Sequence, residues 1–171
     1  LMETALKLAI QDPQIHNVVI GGHWNGYLYR AKIGSELYYT SISKLEAYIN
    51  ELNAQGKKVF LMLNIPTGEE LDPKYMAHRS LNHFPSLLTI RTGGIPREKL
   101  NKKFGKIQQD LSEMAQRSGA EIIRPLGFLC DDSYCPSVDS NGEPIYKDSG
   151  HLRPTYVRRN ASYMDVTVSS R

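Results

Sequence analysis

Long apolar runs are missing from this chain. The longest, 59–63, falls far short of the roughly 20 residues that cross a bilayer. Charge of one sign is also scarce. Twenty-one Lys and Arg against 18 Asp and Glu leave a formal net charge of +3, and no basic run is interleaved with aromatics, which excludes the usual electrostatic footprint of a nucleic-acid binder. Tryptophan occurs once and cysteine twice. Two thiols fall short of the four ligands that a structural zinc site takes. Cys130 and Cys135 lie close together and are better suited to a disulfide in an exported domain. So short a loop would contribute only about 2 kcal/mol. No internal repeat or low-complexity segment is present.

What is present is an ordinary globular composition, 40% apolar and 23% charged over 171 residues, enough for one domain with a real core. The first residue is Leu1 rather than Met, and a helical pattern begins at once, over 2–10. That start is expected of a processed chain, an excised domain or part of a longer one. Asp12-Pro13 ends the helix. Val18-Val19-Ile20 within 17–21 reads as a buried strand, and a polar, aromatic stretch follows over 22–29. Ser43-Lys44-Leu45-Glu46 has the form of a capping box, opening a helix whose apolar face is Leu45, Tyr48, Ile49 and Leu52 and whose stop is Gly56. Residues 58–63 read as a second buried strand. The stretch 67–96 is irregular and too long for an ordinary connection. Pro96 starts a long helix with Leu100, Phe104, Ile107, Leu111 and Met114 on one face, Gly119 ends it, and 121–124 is a third strand. Alternating helices and strands predict an α/β fold, a three-layer sandwich with a parallel sheet flanked by helices. Reactive groups in such sheets lie at the carboxyl ends of strands, here 21–25, 64–68 and 125–128.

One segment has the residue types of acid–base chemistry. In Asp148-Ser149-Gly150-His151 an aspartate precedes a histidine by three residues on a tight turn. A histidine base needs one ring nitrogen held by an acceptor, which fixes its tautomer and stabilises the imidazolium. Gly150 gives the turn freedom, and Pro154 opens a helix carrying Tyr156, Val157, Ala161 and Met164. Taken alone, Asp-x-x-His is equally a helix-entry loop whose aspartate serves as a cap. The remaining histidines offer less. His16 and His23 flank the first strand. His78 and His83 lie in the irregular stretch without the carboxylate–histidine spacing of a zinc enzyme. Either cysteine is also a conceivable nucleophile beside His151, and Arg153, Arg158 and Arg159 make either a solvated helix face or a basic rim for anionic ligands.

Placed before the final helix of an α/β pattern, Asp148-x-x-His151 resembles the last block of the SGNH hydrolase superfamily. The resemblance extends to the SGNH domains fused to membrane acyltransferases. Those domains carry segments similar to Cys135-Pro136-Ser137-Val138, Asp139-Ser140-Asn141-Gly142 and Pro144-Ile145-Tyr146-x-Asp148-x-x-His151-Leu152, and a strand followed by Trp and Tyr similar to Val18-Val19-Ile20-Gly21-Gly22-His23-Trp24-Asn25-Gly26-Tyr27. Two features depart from the superfamily pattern. No Gly-Asp-Ser nucleophile block occurs in the sequence, and Gly22 and Asn25 stand three apart where Gly-x-Asn is usual.

The resemblance implies an acyl-transfer domain that O-acetylates carbohydrate of a bacterial cell envelope, such as lipopolysaccharide, peptidoglycan or exopolysaccharide, through a Ser-His-Asp triad. His151 would be the base, Asp148 its orienting acid, Asn25 an oxyanion donor and Trp24 a substrate contact. The serine would lie outside the sequence, in an N-terminal block of the same single domain. No cofactor or metal is expected. The domain would be tethered to an integral-membrane acyltransferase on the periplasmic side of the inner membrane. The alternatives are a carbohydrate O-acetylesterase with the same residues and a non-catalytic glycan-binding or scaffold module.

Overall fold

The computed structural model describes residues 2–78, 89–90 and 93–168. They fall into two compact units, one of residues 1–64, 104–125 and 163–171, the other of 65–103 and 126–162.

In the first unit α1 (Met2–Gln11) leads to β1 (Asn17–Gly21), α2 (Trp24–Arg30), α3 (Glu36–Ala54) and β2 (Lys58–Met62). β1 and β2 pair in parallel, Val18 opposite Val59 and Ile20 opposite Leu61. The side-chain patterns of the two strands differ. Val59, Phe60 and Leu61 of β2 are buried, each removing apolar surface worth about 2 kcal/mol. β1 is only partly covered and Val19 is exposed, so the expectation of a buried strand holds for β2 and fails for β1. The cause is position: among the described residues β1 has one strand neighbour, β2 has two. The buried ammonium of Lys57 donates to the carbonyls of Asp12 and Ile15 at 2.8 Å each and ties the end of α1 to the start of β2.

Two helices here depart from the sequence expectation. The polar, aromatic stretch 22–29 contains α2. And α3 begins at Glu36, capped by Ser35, whose Oγ accepts the Tyr38 N–H at 3.2 Å. Ser43 therefore sits in the middle of a helix, exposed, and is no cap. The apolar face explains this: Tyr38, Ile42, Leu45, Ile49 and Leu52 are buried at 4-3-4-3 spacing, which extends the stripe one and a half turns ahead of Ser43. Gly56, with φ +72°, closes the helix as expected.

The second unit begins with a single 3₁₀ turn (Glu69–Leu71), then α4 (Pro73–Met76), β3 (Ala77–His78), β4 (Thr89–Ile90) and β5 (Gly94–Pro96). The stretch expected to be irregular thus holds several short elements, and Pro96 closes a strand, with the long helix α5 (Arg97–Ser118) starting one residue later. Residues 104–118 of α5 belong to the first unit. There Ile107, Leu111 and Met114 are buried, and three contacts join α5 to α3: the Tyr38 hydroxyl donates to Asp110 at 2.7 Å, Asn53 to the Ser118 carbonyl at 2.6 Å, and Arg117 pairs with Glu46. β6 (Glu121–Ile123) joins β2 in parallel and completes a sheet of order β1-β2-β6.

The rest of the second unit is α6 (Leu126–Leu129), β7 (Tyr134–Pro136), β8 (Tyr146–Asp148), β9 (His151–Leu152) and α7 (Pro154–Asn160). β7 pairs antiparallel with β5, Cys135 opposite Ile95, and Cys130 and Cys135 form a disulfide. The two strands approach so closely that a Cβ on Gly94 would stand 2.2 Å from the Cys135 carbonyl oxygen. Leu71, Ile95, Leu126, Leu129, Cys135, Ile145 and Tyr146 are buried around this pairing. Pro154 takes the first position of α7 as expected, but the helix ends at Asn160. Ala161 is its cap and Met164 lies in a following 3₁₀ segment (Ser162–Thr167).

Candidate active site

β8 and β9 form a hairpin in which Asp148 and His151 are directly paired. The connection is Ser149-Gly150, and neither residue takes a positive φ. The turn therefore does not draw on the left-handed region that glycine's freedom opens. The aspartate makes the turn instead: its Oδ1 accepts the Gly150 N–H at 2.9 Å, the geometry by which an Asx side chain stands in for a backbone turn acceptor. The same carboxylate reaches the imidazole, with Nδ1 of His151 2.8 Å from Oδ1 and 3.0 Å from Oδ2. The Gly150 N–H, and after it the His151 contact, hold the Asp148 carboxyl below the usual aspartate range. An ionised Asp148 beside Nδ1 favours the tautomer with the proton there, leaving Nε2 as the acceptor. The His151 side chain is 79% exposed, so a substrate proton has access to it. This pair can accept a proton, hold the imidazolium and return the proton.

The surroundings of the hairpin come from the same unit. The Asp139–Gly142 turn forms as the motif suggests: Asp139 Oδ1 accepts the N–H groups of Asn141 at 2.9 Å and Glu143 at 3.0 Å, and Gly142 has φ +77°. Arg153 is committed to this turn, donating to the Pro144 carbonyl at 3.1 Å with Glu143 3.8 Å away. Of the three arginines near the motif, Arg158 and Arg159 are the exposed ones on α7.

Trp24 and Asn25 lie in the first unit, just after β1. The Trp24 indole N–H donates to the Met62 carbonyl at 2.8 Å, where β2 ends. Asn25 is 4% exposed. Its backbone N–H donates to Asn64 Oδ1 at 2.9 Å, and Asn64 Nδ2 lies 3.4 Å from the Gly22 carbonyl. Asn64 thus brackets the β1–α2 connection from both ends. The Asn25 side-chain oxygen is buried with no hydrogen-bond partner among the described residues, an arrangement that costs about 1–3 kcal/mol and that packing alone does not explain. Asn64 opens the 64–68 segment that the sequence marks as a strand's carboxyl end, and the pairing of β1 with β2 gives it its partners in the 22–25 segment.

His16 and His23 are exposed, His23 lying edge-on to Tyr27 with ring centroids 6.3 Å apart. His78 is in β3, and His83 falls outside the described residues. Among the described residues no group of three or more His, Cys, Asp or Glu is placed to hold a metal ion, and no helix is long and apolar enough to cross a membrane. Both cysteines are in the disulfide, which removes them as nucleophiles beside His151.

A three-stranded parallel sheet flanked by helices, with an aspartate–histidine hairpin before α7, is an arrangement of the SGNH-hydrolase fold. The family model described as the SGNH domain (fused to AT3 domains) matches residues 1–165, and the chain belongs to that family. Among solved structures it is similar to the Salmonella ser. Paratyphi A lipopolysaccharide acetyltransferase periplasmic domain, at 14% identity and a TM-score of 0.64, over 98% of this chain and 62% of that one. It is also similar to TesA, at 14% identity and a TM-score of 0.50, over 96% of this chain and 68% of that one. At these identities the likeness is one of fold. The chain spans less than two thirds of the length of the acetyltransferase domain. No curated protein sequence matches it.

Proposed function

We propose that this chain carries the acid–base part of a single SGNH-type domain that transfers acyl groups to carbohydrate hydroxyls of a bacterial cell envelope. The observation that supports it best is the Asp148–His151 pair, 2.8 Å apart on an exposed hairpin, in a chain of this family. The nucleophile would be a serine outside the sequence, since no Gly-Asp-Ser occurs within it. His151 Nε2 takes the serine proton as the oxygen attacks the acyl donor, and returns it to the leaving group as the acyl-serine ester forms. In the second half His151 takes the proton of a sugar hydroxyl, that oxygen attacks the ester, and the serine leaves with the proton restored. Asp148 keeps the imidazole oriented and balances its charge. Asn25 is the proposed oxyanion donor, a role worth about 3–4 kcal/mol of barrier, and Trp24 the proposed substrate contact. No cofactor enters these steps.

The family description, an SGNH domain fused to AT3 domains, supports a tether to a membrane acyltransferase that supplies the acyl group. The similarity to a periplasmic lipopolysaccharide acetyltransferase domain supports a periplasmic location at the inner membrane and an envelope glycan as acceptor. An esterase would use the same residues with water resolving the ester. The exposure of His151 gives that reading its own support.

The test is incubation of the parent protein with p-nitrophenyl acetate and a glycan acceptor. Acetylated glycan is the expected product. Hydrolysis without it would reject transfer in favour of the esterase. No turnover, in a parent sequence without a Gly-Asp-Ser block, would leave a glycan-binding module.

A further inference from the structure

A cleft of about 270 Å³ opens in the first unit along α2 and α3, with Trp24, Tyr27 and Tyr48 among its walls and Ser41, Lys44 and Leu45 beside them. The aromatic groups are presented for contact. Trp24 has its N–H committed to the Met62 carbonyl, and its benzo ring rests against Gly22, where a Cβ would come within 3.4 Å. The ring is therefore fixed, with its donor satisfied and only π surface left to offer. Tyr27 is 66% exposed and Tyr48 half-buried. Ser41 donates its hydroxyl proton to the Leu37 carbonyl at 2.7 Å, so its oxygen remains an acceptor.

The charge in the cleft is of one sign. No carboxylate lines it, and Lys44, exposed, has no ion-pair partner among the described residues. The nearest glutamate in sequence, Glu46, is already paired with Arg117.

We infer that this cleft is a subsite for an acidic sugar unit of the glycan, its ring stacked on Trp24 and the tyrosines and its carboxylate paired with Lys44. The C–H face of a pyranose carries partial positive charge and meets the negative face of an aromatic ring. Its hydroxyl edge meets the Ser41 and tyrosine oxygens. An acyl chain would use the apolar wall but leave the ammonium and hydroxyls unmatched. The volume is just under the roughly 300–1,000 Å³ of sites for drug-sized ligands, which suits one ring of a longer polymer. The inference rests on the carbohydrate reading above and names the chemistry of its substrate.

Trp24 is the chain's only tryptophan, so its fluorescence reports on this cleft alone. Titration with methyl β-D-glucuronide and with methyl β-D-glucoside, which differ by one carboxylate, should give saturable signals with the glucuronide bound about fivefold more tightly, the range of an exposed ion pair. Lys44→Gln, at an exposed position where folding is undisturbed, should remove that preference and leave glucoside binding unchanged. Tyr48→Ala, checked for folding by its melting curve, should weaken both sugars. No saturable signal, or a preference that survives Lys44→Gln, overturns the subsite. Because binding is read without turnover, the two readings fail separately. Glucuronide binding in a protein that transfers no acyl group rejects only the acyl-transfer reading. Acyl transfer with a silent Trp24 rejects only the subsite.

Discussion

The backbone N–H of Gly68 donates to the carbonyl of Ser149 at 2.9 Å. This bond ties the segment that opens the second unit to the tip of the turn between Asp148 and His151. Thr67 adds to the support: its Cγ2 would be 4.0 Å from a Cβ on Gly150. The hairpin that carries Asp148 and His151 is thus braced by its own side chain at Asp148 and by one neighbouring stretch of backbone.

Asp148→Asn should separate orientation from folding. The amide oxygen can still accept the Gly150 N–H, so the turn persists, and only the small stabilisation from the carboxylate's charge is lost. The amide NH₂ would face Nδ1 and select the wrong tautomer. The expected result is a loss of about 10⁴-fold in kcat for ester turnover by the parent protein, read from initial rates beside a melting curve that stays cooperative and shifts only slightly.

Acid should destabilise the chain through three carboxylates held below their usual values. Asp148 is lowered by the Gly150 N–H and His151, Asp131 by the Ser133 N–H and hydroxyl, and Glu70 by Lys99. Each is a stronger acid folded than unfolded. Its contribution is complete above the unfolded pKa, about 4, and is lost as pH falls through the lower folded value. The melting temperature should hold from pH 7 to about 5 and fall below about 4, with a shallower fall in Asp131→Asn. Thermal melts across this range check it.

The start of α3 can be located by substitution. Ser35→Ala removes the acceptor for the Tyr38 N–H and should cost about 1 kcal/mol. Ser43→Ala, in mid-helix and exposed, should be neutral or stabilise by up to about 0.5 kcal/mol. Urea denaturation of the two variants decides between the caps.

Two glycines should respond in opposite directions to the same change. Gly94→Ala drives a Cβ against the Cys135 carbonyl and the Tyr134 ring and should cost about 3 kcal/mol. Gly105 lies within α5 with nothing near its Cβ direction, and Gly105→Ala should add about 1 kcal/mol. Paired denaturation curves measure both.

The sheet was legible because β2 is a short apolar run with a neighbour on each side, and α5 because its buried residues keep a helical period over five turns. α2 was not, since Gly26 and three aromatics mask a seven-residue helix whose only buried residues are Asn25 and Leu28. β5 and β7, at three residues each, are too short to show a period of two. In the candidate site the Asp148–His151 contact could be read because both residues belong to one local motif. The Asn25–Asn64 contact could not, because its partners are 39 residues apart and meet only when β1 and β2 pair. The β1 side chains were misjudged for a related reason: apolar composition is visible in a sequence, whereas a missing strand neighbour is not.

The hairpin places the acid and the base three residues from each other, so the loop that unites them is closed at almost no entropic cost. A change of chain length elsewhere leaves the separation of these two side chains as it is, because their contact is made within four consecutive residues.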